Sequence, residues 1–220
     1  MIFDNILSEK QKEVLDKIKN LPEGSYMAGG TALALQLGHR TSLDFDFYVK
    51  TDFNSEILFA EMRSIFSNLK LERTAKGTLI LDADDVSFSI FRYPYDLIDS
   101  LVEFKNIKLA SIKDVAAMKM IAISTRGTRR DFIDVYFLLQ KFNLGEVLKF
   151  TLEKYPGYQQ MVILKGLIYF KDAEDEDLSR GITVLDKNYS WEKTKDFIKK
   201  EAEKYQLEMI NMEDMGKYES

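Results

Sequence analysis

The stretch SLDFDFYVK, residues 42–50, constrains the fold more than any other segment of this chain. Leu43, Phe45, Phe47 and Val49 fall on one parity, and Asp44, Asp46 and Tyr48 on the other. A β-strand, with its two-residue period, sends those sets to opposite faces. The apolar set belongs against a core, so both carboxylates are expected on the far face. Two residues along a strand span about 6.6 Å between Cα atoms, so Asp44 and Asp46 can converge on one hard cation, a geometry suited to magnesium. Upstream, YMAGGTALALQLG reads as a short strand, a glycine turn and a helix ended by Gly38. Glycines at 29 and 30 let backbone N–H groups and the positive helix end approach a phosphate, and Thr31 adds a hydroxyl. A phosphate cradle beside a carboxylate pair is what metal-assisted phosphoryl transfer requires, because positioning and charge neutralisation do most of the work there. The competing accounts are a solvated strand face for the aspartates and an ordinary tight turn for the glycines.

Periodicity organises the rest of the chain. A helix is expected over 6–20 and another from an Asn54 N-cap to about 68, followed by strands at 70–75, 78–83 and 86–92, the last two joined by the acidic turn DADD. From Pro94 onward the pattern is helical, with stretches near 111–125, 129–142, 145–154, 158–170 and 190–206. The expected class is therefore α+β, a mixed sheet with flanking helices over 1–93 and a helical half over 94–220.

Composition narrows the chemistry. With 220 residues, 45% of them hydrophobic, the chain can bury a core in one domain or two small ones. It has no cysteine, which excludes disulfides and thiolate metal sites, and its lone His39 cannot build a zinc site with others of its kind. Any metal must be held by oxygen. The charged N-terminus offers no signal peptide or membrane span, so a cytoplasmic location is expected. The net charge is −5, yet Lys105 to Arg130 holds Lys105, Lys108, Lys113, Lys119, Arg126, Arg129 and Arg130 against Asp114 alone. A basic region on an acidic body points to a polyanionic ligand, with a solvated charged surface as its rival.

The helical half contains charges out of place. In SIKDVAAMKMIAIST, Ser111 and Asp114 suit a capping box, and Lys119 sits amid an apolar stripe of Ile112, Val115, Ala116, Ala122 and Ile123. In RRDFIDVYFLLQKF, Asp131 and Asp134 head a stripe with Val135, Leu138 and Phe142. Asp131 is explained by the helix N-terminus, whereas Asp134 lies deeper and needs a cation such as Lys119 or a metal. Arg126, Arg129 and Arg130 can grip phosphates bidentately. Read alone, Lys119 replaced by methionine is expected to fold at least as stably as the parent.

GGTALALQLGHRTSLDFDFYV followed by LASIKDVAAMKMIAISTRGTRRDFIDVYFLL resembles the AbiEii/MenA-type nucleotidyltransferase toxins of the polymerase-beta-like superfamily. The likeness runs from about Tyr26 to Phe142, and LKGLIYFKDAEDED and SWEKTKDFIKK are also similar to the family's C-terminal half. It implies a nucleotidyltransferase-like sheet, with the helical half completing the active-site cleft. Gly29, Gly30, Thr31 and Ser42 would then bind nucleotide, together with Arg129 and Asp131, while Asp44 and Asp46 hold Mg²⁺ or Mn²⁺. Lys119 and Asp134 match the later essential pair. The implied activity is transfer of a nucleotidyl group from an NTP to an acceptor, an RNA such as a tRNA 3′ end, by a toxin with a cognate antitoxin. Alternatives are a small-molecule or protein acceptor and a non-catalytic nucleotide-binding module. One departure stands out: VSFSIFRY offers Ser87 and Ser89 where such enzymes carry a third carboxylate, leaving Asp82 or Asp134 as substitutes.

Overall fold

The computed structural model describes residues 1–174 and 181–216, with side chains described through 211. The last part of LKGLIYFKDAEDED, 175–177, lies outside the described residues. The chain divides into two compact units, Met1–Val115 with Leu178–Asp186, and Ala116–Asp177 with Lys187–Ser220.

The first unit opens with helix α1 (Glu9–Lys17), where Ser8 and Gln11 form a reciprocal capping box. Strand β1 (Tyr26–Ala28) runs directly into α2 (Gly29–Leu37), which ends at Gly38 in the left-handed conformation. Next come β2 (Phe45–Val49), α3 (Ser55–Arg63), β3 (Leu69–Ala75), β4 (Thr78–Ala83), β5 (Val86–Arg92), β6 (Val102–Phe104), β7 (Ile107–Leu109) and the start of α4 (Ile112–Thr125). These strands form one mixed sheet in the order β3-β4-β5-β2-β1-β7-β6. Central β2 is antiparallel to β1 and parallel to β5.

The alternation in β2 decides which face is which. Phe45, Phe47 and Val49 are buried with Met27, Leu79, Leu81, Phe88 and Ile90 in the unit's core, while Asp46 and Tyr48 stay partly exposed on the other face. Leu43 departs from the expected parity. It is 44% exposed because the ladders to β1 and β5 begin only at Phe45 and beyond, so no partner strand directs it inward. The sheet also continues past residue 94, where the sequence reads as helical: Ile107 and Leu109 bury and Lys108 points out, and β7 pairs in parallel with β1. Strands of three residues are too short for periodicity to reveal.

The second unit contains the remainder of α4, α5 (Arg129–Leu139), α6 (Leu144–Lys154), α7 (Gln160–Leu167), α8 (Lys171–Glu174) and α9 (Trp191–Gly216). Thr128 caps α5, and Asn143 with Glu146 forms a capping box on α6. Phe132, Phe170 and Trp191 meet with ring centroids 4.8–6.0 Å apart. Helix α9 runs past the expected end near 206 with Leu207 and Ile210 exposed, so helix-forming residues continue it where no buried stripe marks it. Among the described residues no helix is long and apolar enough to cross a membrane.

Phe47 fills the core directly behind the face carrying Asp46. Phe47→Ala is expected to lower unfolding free energy by about 3–5 kcal/mol in urea titrations, and Leu43→Ala by no more than about 0.5 kcal/mol. Equal losses would contradict the assignment of faces.

Candidate active site

In the first unit the strand-to-helix junction brings the glycine turn to the carboxylates. Gly29 adopts φ 71°, and a Cβ built on it would lie 3.1 Å from Asp46 Oδ2. A Cβ on Gly30 would lie 2.5 Å from Arg40 Nη2 and 3.5 Å from Ser42 Oγ. The turn is thus bounded by a carboxylate on one side and a buried guanidinium on the other, and a side chain at either glycine would press on one of them. Arg40, 2% exposed, donates from Nη1 to the Thr41 carbonyl at 2.8 Å.

Thr31 turns inward. It is buried, donates to the Asp44 carbonyl, and shares a 2.8 Å hydrogen bond with the Ser42 hydroxyl. Gln11 Nε2 donates to the Ser42 carbonyl at 2.7 Å. Thr31 and Ser42 therefore fix the backbone that presents Asp44, rather than adding free hydroxyls to a phosphate cradle.

Asp46 lies in register with Ser89 on parallel β5 and with Ala28 on β1. The position beside Asp46 where a third carboxylate would project is thus a buried serine. Asp82 pairs with Ser87, and its Oδ1 accepts from the Asp85 amide at 3.1 Å, so it serves the β4–β5 turn instead. Among the described residues no group of three His, Cys, Asp or Glu side chains is arranged to hold a metal. The Asp46 carboxylate beside the Gly29 turn is an oxygen donor of the kind that suits Mg²⁺ or Mn²⁺, which commonly takes one or two carboxylates and completes its shell with water and substrate phosphates.

The second unit assembles the later motif into a buried ion cluster. Lys119 Nζ lies 2.9 Å from Asp131 Oδ1 and 2.7 Å from Asp134 Oδ2, and the three residues are 7%, 1% and 0% exposed. Thr128 donates to Asp131 Oδ2 at 2.6 Å, and Arg126 Nε approaches the same oxygen at 3.4 Å. Burial opposes ionisation of Asp131 most strongly. The charge of Lys119, then that of Arg126, and hydrogen bonds from Lys119 and Thr128 together outweigh it and hold the carboxyl below its usual range.

Arg129 has structural work that the sequence does not announce. Its guanidinium donates to the carbonyls of Ala173 at 3.0 Å and Glu174 at 3.4 Å, and stands 4.7 Å from the Trp191 ring. It ties α5 to α8 and α9. The basic run is likewise spoken for. Lys105 pairs with Asp16 at 2.8 Å, Lys108 with Glu103 at 3.6 Å and Lys113 with Asp99 at 2.8 Å, besides the Lys119 and Arg126 contacts. Charge concentrated in sequence is largely neutralised in space by acids from other segments.

The chain is similar in sequence and in fold to several known proteins. The family model described as "Nucleotidyl transferase AbiEii toxin, Type IV TA system" matches residues 89–189. The Aquifex aeolicus (strain VF5) protein aq_aa25 is 34% identical over 207 residues, covering 90% of this chain and 97% of that one. The fold is similar to MenT4, a nucleotidyltransferase toxin of Mycobacterium tuberculosis H37Rv, with TM-score 0.58 and 13% identity over 86% of this chain and 77% of that one. JHP933 from Helicobacter pylori is similar with TM-score 0.53 and 15% identity over 98% of this chain and 100% of that one. The seven-stranded mixed sheet with its helices is a nucleotidyltransferase fold. The chain belongs to the AbiEii nucleotidyltransferase toxin family.

Burial of two carboxylates on one lysine changes what a methionine at 119 would do. Lys119→Met leaves Asp131 and Asp134 buried without that cation and is expected to cost about 3–5 kcal/mol, reversing the expectation drawn from the stripe alone. Because Asp131 titrates lower folded than in the unfolded chain (about 3.9), its contribution is present above that pH and lost as pH falls through the folded value. Melts of the parent and Asp131→Asn should therefore differ most near neutrality and converge below about pH 4. Parallel curves would show that Asp131 is not held ionised by the cluster.

Proposed function

We propose that this protein is a Mg²⁺-dependent toxin that transfers a nucleotidyl group from an NTP to the 3′ hydroxyl of an RNA, a tRNA end being the expected acceptor. The observation that carries the reading is the approach of Asp46 Oδ2 to the Gly29 turn. A phosphate seated on the turn and helix N-terminus would lie beside a carboxylate suited to share a cation with it. Bound by Asp44 and Asp46, Mg²⁺ would supply neutralisation of charge on the triphosphate and the departing pyrophosphate.

The chain's own residues then divide the remaining work. The backbone of Gly29 and Gly30 receives phosphate oxygens, and Thr31 and Ser42 hold Asp44 in place from behind. The acceptor hydroxyl forms a bond to the α-phosphorus while the bond to pyrophosphate breaks, and the hydroxyl proton leaves to a base. We assign Lys119 and Asp134 to the same reaction on the family likeness, Lys119 towards phosphate and Asp134 as its orienting partner or as that base. The 2.7 Å contact between them supports the orienting role. Toxicity, and its relief by a cognate antitoxin, follow from the family's type IV toxin–antitoxin description.

Neutralisation of the 105–130 segment favours keeping a small-molecule acceptor as the second reading, since a free basic track was the main argument against it. The test is incubation with each labelled NTP and Mg²⁺, with either total RNA or a small-metabolite pool as acceptor. Label is expected in RNA. Asp46→Asn should reduce incorporation by at least about 10²–10³-fold, the several kcal/mol a lost metal ligand represents, with little change in melting temperature. Label only in small molecules would replace the acceptor, and undiminished transfer by Asp46→Asn would remove the proposed centre.

A further inference from the structure

The face of β2 that carries Asp46 also carries an aromatic ladder that the reaction above does not use. Tyr48, two residues from Asp46, shares its face. It is in register with Tyr26 on β1 and Phe91 on β5, and their ring centroids lie 6.2 and 5.6 Å from its own. The chain leaving β5 adds Tyr93 at 5.0 Å from Tyr48 and Tyr95 at 4.9 Å from Tyr93. The ladder begins on the same two strands as the glycine turn and the aspartates and leads away from them, ending at Tyr95, which is 38% exposed.

Two features separate this ladder from ordinary core packing. None of the five residues belongs to the hydrophobic cluster on the opposite face, where Phe45, Phe47 and Phe88 sit. The outer end is also held rigidly at some cost in buried polar groups. The Tyr93 amide donates to the Val49 carbonyl at 2.7 Å, and Lys50 pairs with Asp96. Asp114, wholly buried, accepts from the Ser111 hydroxyl at 2.7 Å and also from the amides of Ile98 at 2.9 Å and Asp99 at 3.3 Å, so the carboxylate expected to serve its own helix start also fixes this segment. A buried carboxylate spent on orienting a loop is what preorganisation of a binding surface looks like.

The inner end is closed: Tyr26 is 4% exposed and its hydroxyl is buried, so the ladder gains exposure only towards Tyr95.

We infer that this ladder is a stacking platform for a nucleobase, placed along the sheet from the phosphate turn. A planar base offers a π face that an exposed tyrosine ring can stack against. The base belongs either to the incoming NTP or to the RNA acceptor. The inference rests on the nucleotidyl-transfer reading for its choice of ligand, but its test does not require turnover.

Binding to the full-length protein is measured in EDTA with four probes: an NTP, inorganic tripolyphosphate, a short single-stranded RNA, and the same RNA backbone carrying abasic sites. Tyr95→Ala should weaken a base-bearing probe by about 5- to 100-fold, the range for loss of one base–aromatic stack, and leave its base-free counterpart unchanged. Tyr95→Phe should restore binding to within about twofold, since stacking needs the ring and not the hydroxyl. An effect confined to the NTP assigns the platform to the donor base, and one confined to RNA to the acceptor base. Equal weakening of base-free probes, or no weakening of either base-bearing probe, overturns the platform while leaving the transfer assay of the parent protein unaffected. Failure of the parent to bind NTP or RNA more tightly than the base-free probes overturns the platform as well, and failure of the parent to transfer label separately removes the functional reading.

Discussion

The whole first unit depends on the pairing of β2 between β1 and β5. An antiparallel neighbour on one side and a parallel one on the other make β2 a central strand, so its two-residue alternation is imposed from both edges. One face must then bury Phe45, Phe47 and Val49, and the other must present Asp46 and Tyr48. The same antiparallel register sets Ala28 opposite Asp46, which places the first glycine of α2 next to a carboxylate. The core, the glycine turn and the placement of Asp46 are consequences of one ladder.

Charge in this protein is organised by tertiary pairing more than by composition. The lysines at 105, 108 and 113 each meet an acid from another segment at the surface, where such pairs contribute little stability but cancel the local field. The buried pairing is of a different kind. Lys119, Asp131 and Asp134 have almost no access to water, so the cluster is costly to assemble and still more costly to break.

Departures from expectation share a cause. Thr31 and Arg129 suit phosphate by type and position, and Ser42 joins them through the family likeness, yet each also bonds partners outside its own turn of chain. Arg40 carries no periodic signal. Its guanidinium matters because folding brings it against Gly30. Polar residues are ambiguous from sequence because the same hydrogen-bonding capacity serves a ligand or a carbonyl, and only the neighbours decide which.

What the sequence by itself determined was whatever depends on near neighbours along the chain. The strands at 78–83 and 86–92, the Asn54 and Thr128 helix starts, the left-handed end of α2 at Gly38 and the segregation of Asp46 from Phe45 and Phe47 follow from local period and capping chemistry. Only tertiary structure decided the strand order, the short β6–β7 hairpin, the serine beside Asp46, the neutralisation of the basic run and the convergence of Tyr26, Tyr48, Tyr93 and Tyr95 into one ladder. The strand order, the Asp46–Ser89 register and most of the aromatic ladder depend on residues tens of positions apart, and the hairpin and nearer ion pairs are too short for a periodic signal, so no local pattern encodes these choices.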